Sequence, residues 1–359
     1  MMAAVAILAA LSAEAQKIRT IDKEGQPVPY VSVMTTDAKY IGVTDLDGVL
    51  NDVKGADTIM VSHVAYKPAR FKVGAQGGTI TLEDADFGLP EIVVSKRPYT
   101  YVQTYYRTYY YTEDDGILYY RVGLTDNVYD SKTGKVKGST VHTSKAKWGI
   151  LKTTLNALIG GILDKQSQIS PEPIEEYIVE NGKKTKTKIT DEGAGRKRIS
   201  DFKGTIGYIT DNKSTGLRRF SYDNNMIRKH KIEADGNTKK LDKEEKRETK
   251  KKNRQDVDFL LYRIDDEGNY QPEDFVMSQI LVTYDEVQND GSLVAHVICS
   301  QVFTIERAYA NKNELKQLKQ ENKMKMTYQN ILQFERDNKI PALEPRIQEK
   351  LNQLWKTGE

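Results

Sequence analysis

Apolar and polar residues alternate in short runs through the first part of the chain, which is the pattern of β-strands that bury one face. Gly, Pro and Asp punctuate these runs at roughly 8–12-residue intervals, as in small all-β domains. The pattern therefore predicts a small β-sandwich. Its predicted strands cover residues 17–22, 28–35, 41–44, 58–62, 71–73 and 79–82.

A second alternating pattern begins near residue 99 and is built on tyrosine. Ten of the 21 Tyr residues lie between Tyr99 and Tyr129, where they alternate with Val, Thr and Arg as strand residues do. Asp290-Gly291 predicts a tight hairpin between the last two long strands. We therefore predict one large antiparallel curved sheet or half-barrel. Its later strands are predicted at residues 176–179, 183–190, 205–210, 217–222, 227–233, 258–264, 276–287 and 292–306.

Two regions follow a helical period instead. Residues 148–163 place Ile and Leu on one broad stripe. This predicts a helical insert that plugs the open side of the sheet or lies on a membrane surface. Residues 311–338 and 344–355 also have helical composition, with Asn311 or Asn313 as N-cap. We predict that these C-terminal helices pack on the sheet.

Motifs in the first alternating region carry a resemblance to a known domain family. They read Gly25-x-Pro27-Val28-x-x-Val31-x-Val33, Gly42-Val43-Thr44-Asp45-x-Asp47-Gly48, Ile59-x-Val61-Ser62-x-x-Ala65-Tyr66 and Leu89-Pro90-Glu91-Ile92-Val93-Val94. The region resembles the carboxypeptidase-D-type regulatory-like domain, a seven-stranded transthyretin-like (prealbumin-like) β-sandwich found in exported bacterial proteins. This is the accessory sandwich of those enzymes, so the resemblance implies no catalytic residue.

The first fifteen residues resemble an export signal. They are small and apolar, and Ala13-Glu14-Ala15 fits the small-x-small rule for cleavage between Ala15 and Gln16. A short buried helix is the alternative. The predicted organisation is a signal peptide at 1–15, a regulatory-like sandwich at 16–95, a Tyr-rich antiparallel domain at 96–310 and C-terminal helices at 311–359. The fold class is thus mainly β.

Composition excludes several classes of protein. The longest apolar run is too short for a polytopic membrane protein. The single Cys299 excludes an intramolecular disulfide and a thiolate zinc site, and its apolar surroundings favour a buried small residue. No phosphate-binding Gly-rich loop, His-Glu-x-x-His or Gly-x-Ser-x-Gly motif occurs, so we predict neither a cofactor nor a catalytic centre.

Positive charge is concentrated in the middle of the chain. Residues 96–260 hold 34 Lys and Arg against 23 Asp and Glu, although the whole chain has a net charge of only +3. The excess lies in two runs, 183–198 and 228–254. Such a run suits an anionic envelope partner, including an anionic lipid surface, or a plain solvated surface. Aromatic residues do not interleave with it, so we predict no nucleic-acid partner.

Candidate binding residues lie in the Tyr-rich strands, since each ring offers an apolar face and a hydroxyl group. A cleft lined by them would hold an apolar or glycan ligand, whereas the alternative is a packed sheet with phenols at its rim. The candidates are Tyr105, Tyr106, Arg107, Tyr109, Tyr119 and Tyr120.

The predicted function is a non-enzymatic, exported envelope protein, stationed in the periplasm or at the outer membrane. It would bind or scaffold an envelope protein or a ligand. One alternative is a metal-dependent hydrolase or peptidase, because His230 and Glu233 have the His-x-x-Glu spacing and His296 follows as a third ligand. The other is a peripheral outer-membrane-associated protein that uses the 148–163 helix.

Overall fold

The computed structural model describes residues 16–37, 39–53, 56–74, 77–87, 97–148, 176–178, 184–234, 236, 238–321 and 327–356. It is 52% strand and 20% helix, which confirms the mainly β fold class. The chain divides into two compact units, residues 1–85 and 86–359. The predicted leader at 1–15, the motif at 89–94 and residues 149–163 of the predicted insert lie outside the described residues.

Among its described residues the first unit has seven strands in two sheets, with the orders β4-β1-β7 and β3-β2-β5-β6. Strands β1 and β7 pair in parallel, and the other pairs are antiparallel. The sheets meet closely, because a Cβ built on Gly78 would lie 2.7 Å from Cζ of Phe71 on the other sheet. The strands are β1 (Ile18–Ile21), β2 (Ser32–Thr35), β3 (Tyr40–Val43), β4 (Val49–Leu50), β5 (Thr58–His63), β6 (Tyr66–Lys72) and β7 (Gly78–Thr81).

The Asp-x-Asp-Gly segment of this unit forms the turn that leads into β4. Oδ1 of Asp45 accepts hydrogen bonds from the backbone N–H groups of Asp47 and Val49, at 2.9 Å each. Gly48 has a φ of +71°, and an added Cβ would lie 2.5 Å from the carbonyl oxygen of Thr20. Glycine is therefore required for both the conformation and the close approach.

The second unit is built on one open ten-stranded sheet, in which all pairs are antiparallel. Its order is β10-β9-β8-β19-β18-β17-β16-β15-β14-β13, so two meanders meet where β8 pairs with β19. A separate hairpin joins β11 and β12. The strands are β8 (Tyr99–Thr112), β9 (Gly116–Asp130), β10 (Val136–Trp148), β11 (Glu176–Ile178), β12 (Lys184–Lys186), β13 (Lys188–Gly193), β14 (Arg196–Ser200), β15 (Thr205–Asn212), β16 (Leu217–Asp223), β17 (Lys251–Arg263), β18 (Phe275–Val287) and β19 (Leu293–Ala310).

Five helices are described in this unit. They are α1 (Asn224–Ala234), α2 (Thr238–Lys250), α3 (Lys312–Glu321), α4 (Tyr328–Asp337) and α5 (Pro345–Lys356). Asn311 caps α3 through hydrogen bonds from the backbone N–H groups of Asn313 and Glu314, as predicted. Helix α5 packs on β9 and buries Ile347, Leu351 and Trp355.

The strand predicted at 227–233 is wrong, because these residues belong to helix α1. The carboxylate of Asp223 caps this helix, since its Oδ1 accepts a hydrogen bond from the backbone N–H of Met226 at 2.9 Å. Ile227 and His230 are three residues apart and form the buried face. In a strand these two residues would point to opposite faces because their spacing is odd, so only the helical period buries both.

Candidate functional site

A cavity of about 810 Å³ lies between helices α1 and α2 and the start of strand β17. Eight lysine and arginine side chains line it, together with a single carboxylate, that of Glu244. The lining is completed by Ile232 and Thr249. The cationic residues are Arg228, Lys231, Lys240, Lys243, Lys246, Arg247, Lys250 and Lys251. The volume is within the range of small-molecule binding sites.

Ion pairs join helices α1 and α2 beside the cavity. Glu244 on α2 accepts a hydrogen bond from Arg228 on α1, with 2.7 Å between Nη2 and Oε1. Lys229 on α1 pairs with Glu248 on α2. Helix α2 has no buried residue, so its position depends on such pairs rather than on an apolar face.

One end of the cavity adjoins a chain of alternating charges. Glu244 also accepts a hydrogen bond from Arg247, at 3.3 Å between Oε2 and Nη1. Arg228 lies 3.7 Å from the carboxylate of Asp256, which in turn accepts a hydrogen bond of 2.9 Å from Arg254. Three guanidinium groups therefore share two carboxylates. We call Arg228, Arg247 and Arg254, with Glu244 and Asp256, the arginine chain.

Positive charge is in surplus around the arginine chain. Burial lowers the pKa of Arg247, and the neighbouring Arg254 and Arg228 lower it further. Burial and Arg254 likewise lower the pKa of Lys251. Like charges held this close destabilise one another unless an anion compensates them.

Two guanidinium donors of the arginine chain remain unused within the part of the chain that the structure describes. The buried Nε atoms of Arg228 and Arg254 have no hydrogen-bond acceptor there. Guanidinium groups donate to carboxylate and phosphate oxygens in a planar fork. Because Arg228 and Arg247 line the cavity, it is suited to binding an oxyanion, and the alkyl parts of the lysines add apolar lining.

A second polar cluster touches the cavity through Lys251. The Nζ atom of Lys251 lies 4.1 Å from the ring centre of Tyr284, and that ring stacks on His296 at 4.6 Å between centroids. The Nδ1 atom of His296 lies 2.7 Å from the hydroxyl of Tyr110, and its Nε2 lies 3.1 Å from Glu286. Burial lowers the pKa of His296, opposed by Glu286 and assisted by Lys251.

This pKa direction predicts a pH dependence of stability. The unfolded chain takes up a proton near the ordinary pKa of 6.5, whereas folded His296 resists protonation. The stability contributed by neutral His296 is therefore complete above pH 6.5 and is lost as the pH falls below it, down to the folded pKa. The free energy of unfolding, measured with urea, should fall between about pH 7.5 and about pH 5. This fall should be larger for the native sequence than for His296→Gln. Equal losses would contradict this assignment.

The tyrosine candidates lie in the interior of the second unit. None of the six side chains is more than 8% exposed. Tyr105 and Arg107 face the C-terminal helices, where both donate hydrogen bonds to Oε1 of Glu335 on α4, at 2.7 and 3.0 Å. Tyr109 and Tyr120 are buried with them. Burial, together with Cys299 and Glu344, raises the pKa of Tyr109. Burial and Tyr120 raise the pKa of Tyr105, and Tyr120 also helps to raise the pKa of Arg107.

Tyr106 belongs to a different hydrophobic cluster. It packs with residues of strands β14 to β19. Tyr119 packs with Tyr110, Val282 and Ile298 in a neighbouring cluster. None of the six residues lines the cationic cavity. Their ligand role remains a prediction, and their burial favours the packed-sheet alternative.

The proposed zinc ligands of the alternative hypothesis are engaged in other pairs. The Nδ1 atom of His230 lies 2.6 Å from Oδ2 of Asp201, and Glu233 pairs with Lys203. His296 belongs to the tyrosine cluster described above. Over the described residues, no three His, Cys, Asp or Glu side chains come together as a metal site. Burial raises the pKa of the Cys299 thiol to about 12, so it is protonated at neutral pH.

Comparison with solved structures gives a similarity of low score. No family model matches the sequence, and no curated protein matches it. A solved structure described as lipid-protein interactions in lipovitellin aligns with 60% of this chain and 26% of its own, at 6% identity and a TM-score of 0.24. This chain thus spans about a quarter of that protein, and the low score does not establish a common fold. In the described part of the chain, no helix is long and apolar enough to span a membrane.

The sequence indicates the charge of this site but not the cavity. The basic run at 228–254 predicts an anionic partner as one interpretation. The strand assigned to 227–233 hid the cavity, because a strand would send successive side chains to opposite faces. The Asp223 cap was the signal in the sequence that a helix begins there.

Proposed function

We propose that this protein is an exported, non-enzymatic binding protein of a bacterial envelope and that its second unit binds an anionic ligand in the cationic cavity. The observation that carries the proposal is the lining of that cavity, in which eight cationic side chains surround one carboxylate. Such a surplus attracts anions and loses affinity as salt screens it. The leader-like sequence at residues 1–15 and the regulatory-like motifs support the envelope assignment.

The first unit has a separate role in this proposal. Its motifs resemble an accessory sandwich, so we assign it contacts with another envelope protein. The ligand of the second unit is an anionic molecule or an anionic lipid surface. A protein with this arrangement would act as a holder or scaffold, because the cavity supplies charge and shape for binding.

Charge reversal on helix α2 tests the proposal. Lys243 lines the cavity and is exposed, whereas Lys239 is exposed on the same helix but does not line it. Lys243→Glu removes one positive charge and adds one negative charge, so we expect an affinity for anionic vesicles about 10–30-fold weaker. Lys239→Glu should change the affinity by no more than about threefold.

Vesicle cosedimentation measures both variants against the native sequence, at low and at physiological salt. Circular dichroism shows whether each variant is folded. Both variants should fold, because both positions are on a helix without buried residues. Equal weakening by the two substitutions would indicate general attraction to the protein surface and would contradict a site in the cavity. Absence of binding by the native sequence to any anion would do the same.

A further inference from the structure

We infer that the arginine chain at one end of the cavity is a site for a phosphomonoester group. This inference rests on the proposed function and narrows it to a class of ligand. Its basis is a set of guanidinium groups fixed by carboxylates beside the lysines of α2. Arg228 and Arg247 line the cavity and are held by Glu244, whereas Arg254 and Asp256 of the arginine chain are not part of the lining.

The arginine chain is oriented before a ligand arrives. Glu244 fixes Arg228 and Arg247 on one side, and Asp256 fixes Arg254 on the other. Each carboxylate thereby removes rotational freedom from a long side chain, so less entropy is lost when a ligand binds. The guanidinium groups that a ligand in the cavity would meet are those of Arg228 and Arg247, which line it.

The local charge selects a dianion. Three guanidinium groups share two carboxylates, and the ammonium group of Lys251 stands close enough for Arg254 and Arg247 to affect it. Glu286 also acts on Lys251, so these seven groups leave a surplus of one positive charge, to which the other lysines of the lining add. A phosphomonoester has a charge of about −1.5 to −2 at neutral pH and three acceptor oxygens, which match this surplus and the forked donors. A phosphodiester has one charge and fewer free oxygens.

The cavity is much larger than a phosphate group alone. Its volume of about 810 Å³ leaves room for a body attached to the phosphate, beside Ile232 and the alkyl parts of the lysine side chains. This body belongs either to a lipid whose headgroup is a phosphomonoester or to a soluble phosphate ester. Both present the same group to the arginine chain.

The experiment compares phosphomonoester and phosphodiester vesicles on the full chain. Vesicles containing phosphatidic acid present the monoester, and vesicles of equal zeta potential containing phosphatidylglycerol present the diester. We expect the native sequence to bind the monoester about tenfold more tightly, as one charge-assisted hydrogen bond allows. Glycerol 1-phosphate, tested by calorimetry and as a competitor, distinguishes a soluble ester from a lipid source.

Arg247→Lys is the matched substitution, because it keeps the charge and removes the fork. It should abolish the tenfold preference, because charge alone then attracts the monoester and the diester. Lys239→Arg, on the same helix but outside the cavity lining, is the control and should keep the preference. Both changes are conservative and lie on exposed helix α2.

The outcomes separate this inference from the proposed function. Equal binding of both vesicle types, still weakened by Lys243→Glu, would overturn the phosphomonoester site and leave anion binding in place. A preference that survives Arg247→Lys would overturn the role of the fork. Failure to bind any anion would overturn both proposals. Binding of glycerol 1-phosphate by itself as tightly as the monoester vesicles supports a soluble ester, and a preference confined to vesicles supports a lipid headgroup.

Discussion

Replacing Glu335 with alanine is expected to lower the free energy of unfolding of the second unit by about 3–5 kcal/mol, because it leaves a buried guanidinium group without its counterion. Arg107 is only 1% exposed, and Oε1 of Glu335 lies 3.0 Å from its Nη1. The other nitrogens of Arg107 donate to Gln301, at 2.6 Å, and to the carbonyl oxygen of Pro341, at 2.6 Å. Burial opposes the charge of Arg107, but Glu335, Tyr105 and Tyr120 keep its pKa above the usual value.

Urea unfolding followed by tryptophan fluorescence measures this loss. Trp148 and Trp355 are the chain's two tryptophans, and both lie in the second unit, so the signal reports on that unit. Arg336→Ala, at the next position of helix α4, is the control. Its side chain hydrogen-bonds to Gln333 at an exposed site, so we expect a change within about 0.5 kcal/mol. If Glu335→Ala lowers the free energy of unfolding by less than about 1 kcal/mol, the Arg107–Glu335 pair does not stabilise the second unit as proposed.

Phe220→Ala should have a comparable effect, a loss of about 3–5 kcal/mol, since it removes the centre of the aromatic cluster in the sheet. The ring of Phe220 is 2% exposed and meets Tyr262 edge-on at 5.9 Å between centroids. It also contacts Tyr270 at 5.8 Å and stacks with Tyr222 at 6.5 Å. The cavity left by alanine could not be filled without moving these rings.

The same fluorescence-detected titration applies, with Phe202→Ala as the control. Phe202 is 55% exposed, so its truncation removes little buried area, and we expect a change within about 1 kcal/mol. Phe220→Leu retains much of the volume and should recover most of the loss. Equal effects of Phe220→Ala and Phe202→Ala would mean that the aromatic cluster does not stabilise the sheet.

Glu335, Phe220 and the cavity all belong to the second unit. Strand β17 belongs to the ten-stranded sheet, and its first residue, Lys251, lines the cavity. Helices α1 and α2 contribute the remaining cationic side chains. A change at Glu335 or Phe220 should therefore reduce anion binding only through loss of folding, whereas Lys243→Glu should reduce binding without loss of stability.

Much of the fold could be predicted because most strands bury one face. The hairpin at Asp290-Gly291 was confirmed, with Gly291 at a φ of +84° as that turn requires. The long Tyr-rich strands were confirmed at β8 and β9. Prediction was weakest where the chain is buried on both faces. From Thr100 to Thr112 every residue of β8 is buried. The positions of its tyrosines therefore do not indicate which face of the sheet packs against Glu335.

Residues near one another in the chain encode the mainly β class, the positions of most strands and the concentration of positive charge. Which cations share a cavity and which tyrosines are covered depends on contacts between distant parts of the chain. Arg107 meets Glu335, 228 positions away, and Arg228 meets Asp256 across a helix and a strand. Such pairs depend on strand order and helix position, which short-range patterns do not encode.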